Sequence, residues 1–299
     1  MKMKKFVSII SAASLAVVLL AGCSGNTATQ TKTTAKATLK ALKEIAVVSR
    51  EAGSGTRGAF IELTGVEVKE ASGSKVDKTT TEAIIANKTD VVLASVAGNE
   101  AAIGYISLGS LNSNVKAVKI NGIPASPDNV KNKTYAISRP FNIAYKGELT
   151  GVAADLVKFI MSAEGQKVVS LSYITINDKA PAFTSDMSSG KIVIAGSSSV
   201  SPLMEKLVEA YKAINTKATI EIQTSDSTAG MTAAMNGTCN IGMSSRDLKD
   251  TEKAALNSQA IALDGIAVIV NKVNGIENLT LDQVKKIYTG EITSWQNIQ

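Results

Sequence analysis

The 299-residue chain is 44% hydrophobic and 19% charged, with a formal charge of +6. Lys2, Lys4, Lys5, Lys32 and Lys36 supply five of those positive charges, so the body after residue 38 is close to neutral and offers no general attraction for a polyanion. Aromatics at 4% with no Arg/aromatic interleaving disfavour nucleic acid, and the absence of histidine removes Ser-His-Asp and Cys-His catalysis and the commonest transition-metal ligand.

Met1–Lys5 is basic and Phe6–Ala21 is an apolar run of sixteen residues. That run falls short of the ~20 residues of a spanning helix, and the layout is that of an export signal over residues 1–22. Leu20-Ala21-Gly22-Cys23 resembles a bacterial lipobox, which makes Cys23 the acylated first residue of the mature chain. Residues 23–38, rich in Thr, Ser, Ala and Gln, read as a flexible tether to the membrane. About 260 residues remain, enough for two lobes. Cys239 is then the sole remaining thiol, read as a small buried apolar residue.

Strands and helices alternate along this body as in open α/β sheets. Ile45–Val48 reads as a buried strand leading into Ser49-Arg50-Glu51-Ala52-Gly53-Ser54-Gly55-Thr56-Arg57, and a helix follows with Ala59, Phe60, Ile61 and Leu63 on its apolar side. Gly53 and Gly55 permit a tight turn and a close approach of backbone to a ligand. A helix start places several N–H groups and the positive end of the dipole at one spot; Ser54, Thr56 and Arg50 add donors suited to an oxyanion.

Val91–Ala94, Ala102–Ile106 and Phe141–Tyr145 read as strands, and Leu149–Met161 as an amphipathic helix. The first grammar then recurs twice. Lys191–Ala195 leads into Gly196-Ser197-Ser198-Ser199-Val200-Ser201-Pro202 and a helix with Leu203, Leu207, Val208 and Tyr211 on one face. Thr219–Gln223 leads into Thr224-Ser225-Asp226-Ser227-Thr228-Ala229-Gly230 and a short helix with Met231, Ala234 and Met235. Ile261–Val270 reads as a buried strand crossing between lobes, and Thr280–Tyr288 as a capped helix. Three hydroxyl-rich turns at three helix starts look like one anion site assembled from separated pieces. No carboxylate pair and no metal-ligand spacing stands out, so a binding role is favoured over an enzyme and no cofactor is expected.

Ala195-GSSSVSP-Leu203, Ile241-GMSSRDL, Ala262-LDGIAVIVN, Ile287-YTGEITSW, Val48-SREAGSGTR, Ala102-IGYISLG, Tyr135-AISRPF and Ser162-AEGQKVV together resemble the phosphate-binding lipoproteins of bacterial phosphate ABC importers, within the type II periplasmic-binding-protein superfamily. In that family the GSSSVSP-type segment comes first, so the order here implies a circular permutation joined between Asn177 and Gly190. The resemblance implies a two-lobed α/β fold. Residues 39–138 plus 269–299 would form one lobe and residues 139–268 the other, with the crossings near Phe141–Tyr145 and Gly265–Asn271 and the ligand in the cleft.

It further implies phosphate contacts from Ser198, Ser199 and the backbone of Val200, from Ser227 and Thr228, and from Arg50, Ser54, Gly55 and Thr56. Ser245 stands where some members carry an Asp that accepts the proton of hydrogen phosphate; Arg246 beside it adds attraction, and Asp247 is left as a substitute acceptor. The bland role for Arg246 is an ion pair with Asp247 or Asp250, and Asp226 must point away from an anion. The implied protein is a monomeric, lipid-anchored receptor on the extracytoplasmic face, delivering inorganic phosphate to ABC permease subunits. Receptors for sulfate or molybdate, a surface sensor, and a phosphatase using Ser198 or Ser199 are the alternatives.

Overall fold

A computed structural model describes residues 44–298. The expected export signal, the Cys23 lipidation site and the tether lie outside the described residues. Thirteen strands occur among them: β1 (Ala46–Arg50), β2 (Glu67–Lys69), β3 (Lys75–Asp77), β4 (Ile84–Ala86), β5 (Ala102–Ser107), β6 (Val115–Ala117), β7 (Lys119–Ile120), β8 (Ser138–Tyr145), β9 (Gly190–Ser197), β10 (Ala218–Ser225), β11 (Ile241–Ser244), β12 (Asn257–Asn271) and β13 (Asn278–Leu279). The α-helices are α1 (Gly55–Thr64), α2 (Thr89–Gly98), α3 (Pro127–Lys131), α4 (Gly151–Ile160), α5 (Ala163–Val169), α6 (Ser201–Ile214), α7 (Ser227–Asn236), α8 (Asp250–Ala255) and α9 (Leu281–Tyr288).

The main sheet runs β10-β9-β11-β8-β12-β5-β1-β4, with β6 on the far part of β12. Its spine is β12, whose 15 residues are apolar enough to be buried along most of their length. Asn257–Gly265 pairs antiparallel with β8, and Ile266–Val270 pairs antiparallel with β5. The core divides at the same place. Phe141, Ile143, Leu156, Ile194, Leu203, Leu207 and Tyr211 pack on one side, while Phe60, Ile103, Tyr105, Ile266, Val268, Ile287, Tyr288 and Trp295 pack on the other. Two lobes therefore share one continuous sheet. The crossings fall at Ile137–Ser138 and Gly265–Ile266, where the Ile266 N–H donates to Ile137 O at 2.8 Å. Phe141–Tyr145, expected at a crossing, lies wholly within the second lobe, because Phe141 and Ile143 face the core of α4, α6 and β9.

One expected strand is a helix. Val91–Ala94 lies inside α2, where Val92 and Val96, one turn apart, are buried and the intervening residues are not. Four consecutive apolar residues cannot by themselves distinguish the two periods. Tertiary packing decides here: a Cβ on Gly104 of β5 would lie 2.9 Å from both Val92 Cγ1 and Val96 Cγ2, so glycine lets α2 seat on the sheet. Leu203, Leu207, Val208 and Tyr211 are buried on α6 and Thr280 caps α9 as expected. On α1, Ala59, Phe60 and Ile61 are buried, but Leu63, expected on the apolar side, is exposed because it falls off the face turned to the sheet. Cys239 is buried among Ala195, Met231 and Leu256.

Residues 177–189 have no regular secondary structure, yet they are fastened to the second lobe. Asp155 on α4, 2% exposed, accepts from Ser185 Oγ at 2.6 Å, the Asp186 N–H at 3.2 Å and Tyr211 OH at 2.9 Å. Phe183 stacks edge-on against Phe159 with ring centroids 5.2 Å apart. Asp155→Ala strands three donors at once and is expected to cost about 2–4 kcal/mol of stability, read as a lower urea midpoint with little change in the slope.

Candidate functional site

Four helix starts, two from each lobe, converge in the cleft. From the first lobe come α1, capped by Ser54 Oγ accepting from the Arg57 N–H at 3.3 Å, and α2, which begins at Thr89. From the second come α6, entered through Ser198–Val200, and α7, capped by Asp226 accepting from the Ala229 N–H at 2.8 Å. Each contributes the positive end of a helix dipole. Between them lies a buried knot of hydroxyls. Thr56 Oγ1 is 2.8 Å from Ser199 Oγ and 3.3 Å from Ser245 Oγ. Ser197 Oγ donates to Ser245 Oγ at 2.9 Å, and the Ser245 N–H donates to Ser227 Oγ at 3.0 Å. Thr89 Oγ1 lies 3.2 Å from Ser199 Oγ, and the Thr89 N–H donates to Ser198 Oγ at 3.3 Å.

Two guanidinium groups flank the knot. Arg50 is 2% exposed; its Nε and Nη2 hold Glu51 bidentately at 2.8 and 2.7 Å, and Nη2 also donates to Ser198 Oγ at 3.1 Å. It is fixed from below because its N–H donates to Tyr105 OH at 3.1 Å, and the Tyr105 ring stacks on Phe60 at 3.9 Å. Arg139 is equally buried. Its Nη1 pairs with Asp264 Oδ2 at 2.5 Å, and Nη2 donates to Thr56 Oγ1 at 2.9 Å. Burial pushes the Asp264 carboxyl up to about 6, with Arg139 the strongest opposing influence. Each cation thus has a carboxylate at its back and hydroxyls in front. A tetrahedral oxyanion in this setting would meet many short donors with little surrounding water, the condition in which each hydrogen bond is strongest.

The structure brings Arg50, Ser54, Gly55, Thr56, Ser198, Ser199, Ser227 and Ser245 together and gives three other expected residues partners outside the knot. The Val200 N–H is committed to Ser197 O at 3.0 Å, closing the turn into α6. Thr228 sits at the rim, where its N–H and Oγ1 both donate to Gly53 O, at 3.2 and 3.1 Å, as a latch between lobes. Arg246 turns away from the knot: Nη1 and Nη2 clasp Glu252 at 2.8 Å each, in place of the carboxylate of Asp247 or Asp250 expected from the sequence, and Nη1 also donates to Asp247 O at 2.9 Å. Asp247 is exposed and joins no part of the knot. Asp226 does point away, towards its cap and the rim.

Gly53 and Gly55 matter for close approach, since neither has a positive φ. A Cβ on Gly55 would lie 2.4 Å from Ser227 Oγ, and one on Gly53 would lie 2.4 Å from Asp226 Oδ1. Thr89 and Arg139 escape the sequence reading. Thr89 lies two residues before Val91–Ala94, whose pattern reads as a strand, and Arg139 stands in Ser138-Arg139-Pro140, where no neighbouring residue points to a site role.

The Arg246–Glu252 clasp makes its own prediction. Burial raises the Glu252 carboxyl, but the Arg246 hydrogen bonds and the Lys249 N–H outweigh it and leave the group below its ordinary 4.5. Its contribution is therefore present above pH 4.5 and fades as pH falls through the lowered value. Glu252→Gln is expected to cost about 1–3 kcal/mol at pH 7, and urea unfolding at pH 7 and below pH 4 should show the gap to wild type narrowing.

The chain is similar to known proteins over its whole length. The sequence pattern described as "PBP superfamily domain" matches residues 14–164 and 181–299. The chain is 46% identical over 301 residues to "Phosphate-binding protein PstS 2" of Streptococcus agalactiae, covering all of this chain and 99% of that one. It is 43% identical over 300 residues to "Phosphate-binding protein PstS 2" of Streptococcus pneumoniae serotype 4, covering both chains completely. A solved structure described as a phosphate ABC transporter, phosphate-binding protein from Streptococcus pneumoniae TIGR4 is 46% identical, spans 86% of this chain and all of its own, and superposes with a TM-score of 0.68. These relatives are substrate-binding transport proteins rather than enzymes. The chain, with its α/β two-lobed fold, belongs to the PBP superfamily, in the family of the streptococcal phosphate-binding proteins that it matches from end to end.

Proposed function

We propose that this chain captures inorganic phosphate outside the cytoplasm and delivers it to the permease of an ABC importer. The observation that carries this reading is the convergence of four helix starts and two guanidinium groups on one knot of hydroxyls, contributed by both lobes. Arg50, Ser54, Gly55 and Thr56 face Ser198, Ser199 and Ser227 across the cleft. A phosphate bridging them favours the closed arrangement, because donors on either lobe alone satisfy only part of the anion. Closure in turn gives a permease a shape that differs between loaded and empty receptor. No catalytic step is needed, and the neutral body leaves attraction for the anion local to the cleft.

Three further features belong to the same proposal. Cys23 is acylated and holds the protein at the membrane, residues 23–38 act as its tether, and the receptor works as a monomer. The segment order is a natural circular permutation, supported by the closeness of the first and last described segments: the Ile45 N–H donates to Thr293 O at 2.8 Å. The end-to-end match with the Streptococcus agalactiae relative favours an inherited order over a misjoined gene.

A second reading, capture of a different tetrahedral oxyanion such as sulfate, is favoured by one observation. Among the described residues, no carboxylate hydrogen-bonds to the hydroxyls of the knot, and Ser245 accepts from Ser197 where a proton acceptor for hydrogen phosphate would be wanted.

Calorimetric titration of residues 24–299, stripped of bound anion, distinguishes these readings. Phosphate is expected to bind at micromolar concentration or below, and Arg50→Ala to weaken it by about a hundredfold through loss of a charge-assisted bond in a dry site. Sulfate binding as tight as phosphate moves the assignment to the second reading. A folded protein that binds neither contradicts both.

A further inference from the structure

Arg139 lies where three parts of the molecule meet. It sits on β8 directly opposite Asp264 of β12 in the strand ladder, one residue from the crossing between lobes. Its planar fork has three directions, and each is used. Nη1 pairs with Asp264, and Nε donates to Ser245 O at 2.7 Å, in the loop of the second lobe that follows β11. Nη2 donates to Thr56 Oγ1 at 2.9 Å, in the first turn of α1 in the first lobe. The guanidinium is further confined by the Phe141 ring, whose centroid is 5.0 Å from Cζ.

Resting on the phosphate reading above, we propose that Arg139 is a positioning residue for the anion: it couples the hinge to both walls of the cleft and fixes the Thr56 hydroxyl as a donor. The argument follows from donor and acceptor capacity. A guanidinium has no acceptor, so Thr56 Oγ1 must accept from Nη2, and its own proton is then turned the other way. On that side lie Ser199 Oγ and Ser245 Oγ, the groups that the anion reading places around the ligand. The Ser245 carbonyl, held by Nε, anchors the residue whose own N–H, on the preceding peptide, donates to Ser227 Oγ, and that hydroxyl is likewise turned to donate. Asp264 keeps the fork in plane. Lysine could supply the charge but not three fixed directions.

The test is a double-mutant cycle read by calorimetric titration with inorganic phosphate. Wild type, Arg139→Gln, Thr56→Val and the double variant are compared, with Arg139→Gln also made together with Asp264→Asn so that no buried carboxylate is left unpaired. Either single substitution is expected to weaken phosphate binding by about tenfold or more. The double variant should fall short of the product of the two losses by at least about threefold, because Arg139 acts partly through Thr56. Arg139→Lys should not restore binding. Losses that multiply fully, or wild-type affinity in a folded Arg139→Gln/Asp264→Asn protein, overturn the inference while leaving the phosphate reading intact. Absence of phosphate binding by wild type overturns both.

Discussion

The pairing of β8 with β12 is the constraint on which the rest depends. Both strands are buried over most of their length, and β12 continues past its partner to pair with β5 in the other lobe. A β ladder bends and twists but does not slide by fractions of a register, so the lobes can move relative to each other while their loops keep their alignment. Gly265 and the change of partner at Ile266 mark where the ladder passes from one lobe to the other. Everything that faces the cleft is carried on the ends of strands or the starts of helices anchored to this spine.

The anion site proposed for the cleft would be built within a nearly neutral protein. Arg50 and Arg139 are each compensated by a carboxylate, Glu51 and Asp264, that lies behind them. An unpaired buried guanidinium would be costly, whereas a paired one retains N–H groups for the cleft and is held in one orientation. The remaining donors are hydroxyls and helix starts, which carry no net charge. Such a site draws its strength from direction and from exclusion of water rather than from net charge. The rim follows the same logic: Gly53 O accepts two bonds from Thr228, and Glu252 occupies Arg246 so that this third guanidinium does not compete.

Much of this was legible in the sequence. The strand–turn–helix grammar at Val48, Ala195 and Gln223 depends on local signals, namely β-branched runs, glycine and hydroxyl residues, and helix periodicity, which act over a few residues. Those signals located seven of the residues that the fold brings together, and the family resemblance added Ser245. What escaped was set by long-range packing. Val91–Ala94 is compatible with either period until Gly104 of β5 makes room for a helix, and misreading it also concealed Thr89 as a fourth helix start. Arg139 depends on a partner 125 positions away, so nothing local marks it as more than a turn residue. The partner of Arg246 was misassigned because the approach to α8, closed by the Lys249–Glu252 capping interaction, turns Glu252 back towards it. Segment order carried the opposite lesson. Each motif was readable alone, and the reordering of those motifs required comparing them with a family rather than with the physics of any one turn.

The most direct test of the account is a crystal structure of the protein grown in phosphate. The account predicts a tetrahedral anion in the cleft, within hydrogen-bond distance of Arg50 and Thr56 from one lobe and of Ser198, Ser199 and Ser227 from the other. A phosphate bound only at the surface, or only in the neighbouring groove lined by Glu62, Lys75, Lys249 and Lys253, without contact to Arg50, Thr56, Ser198, Ser199 or Ser227, would contradict it.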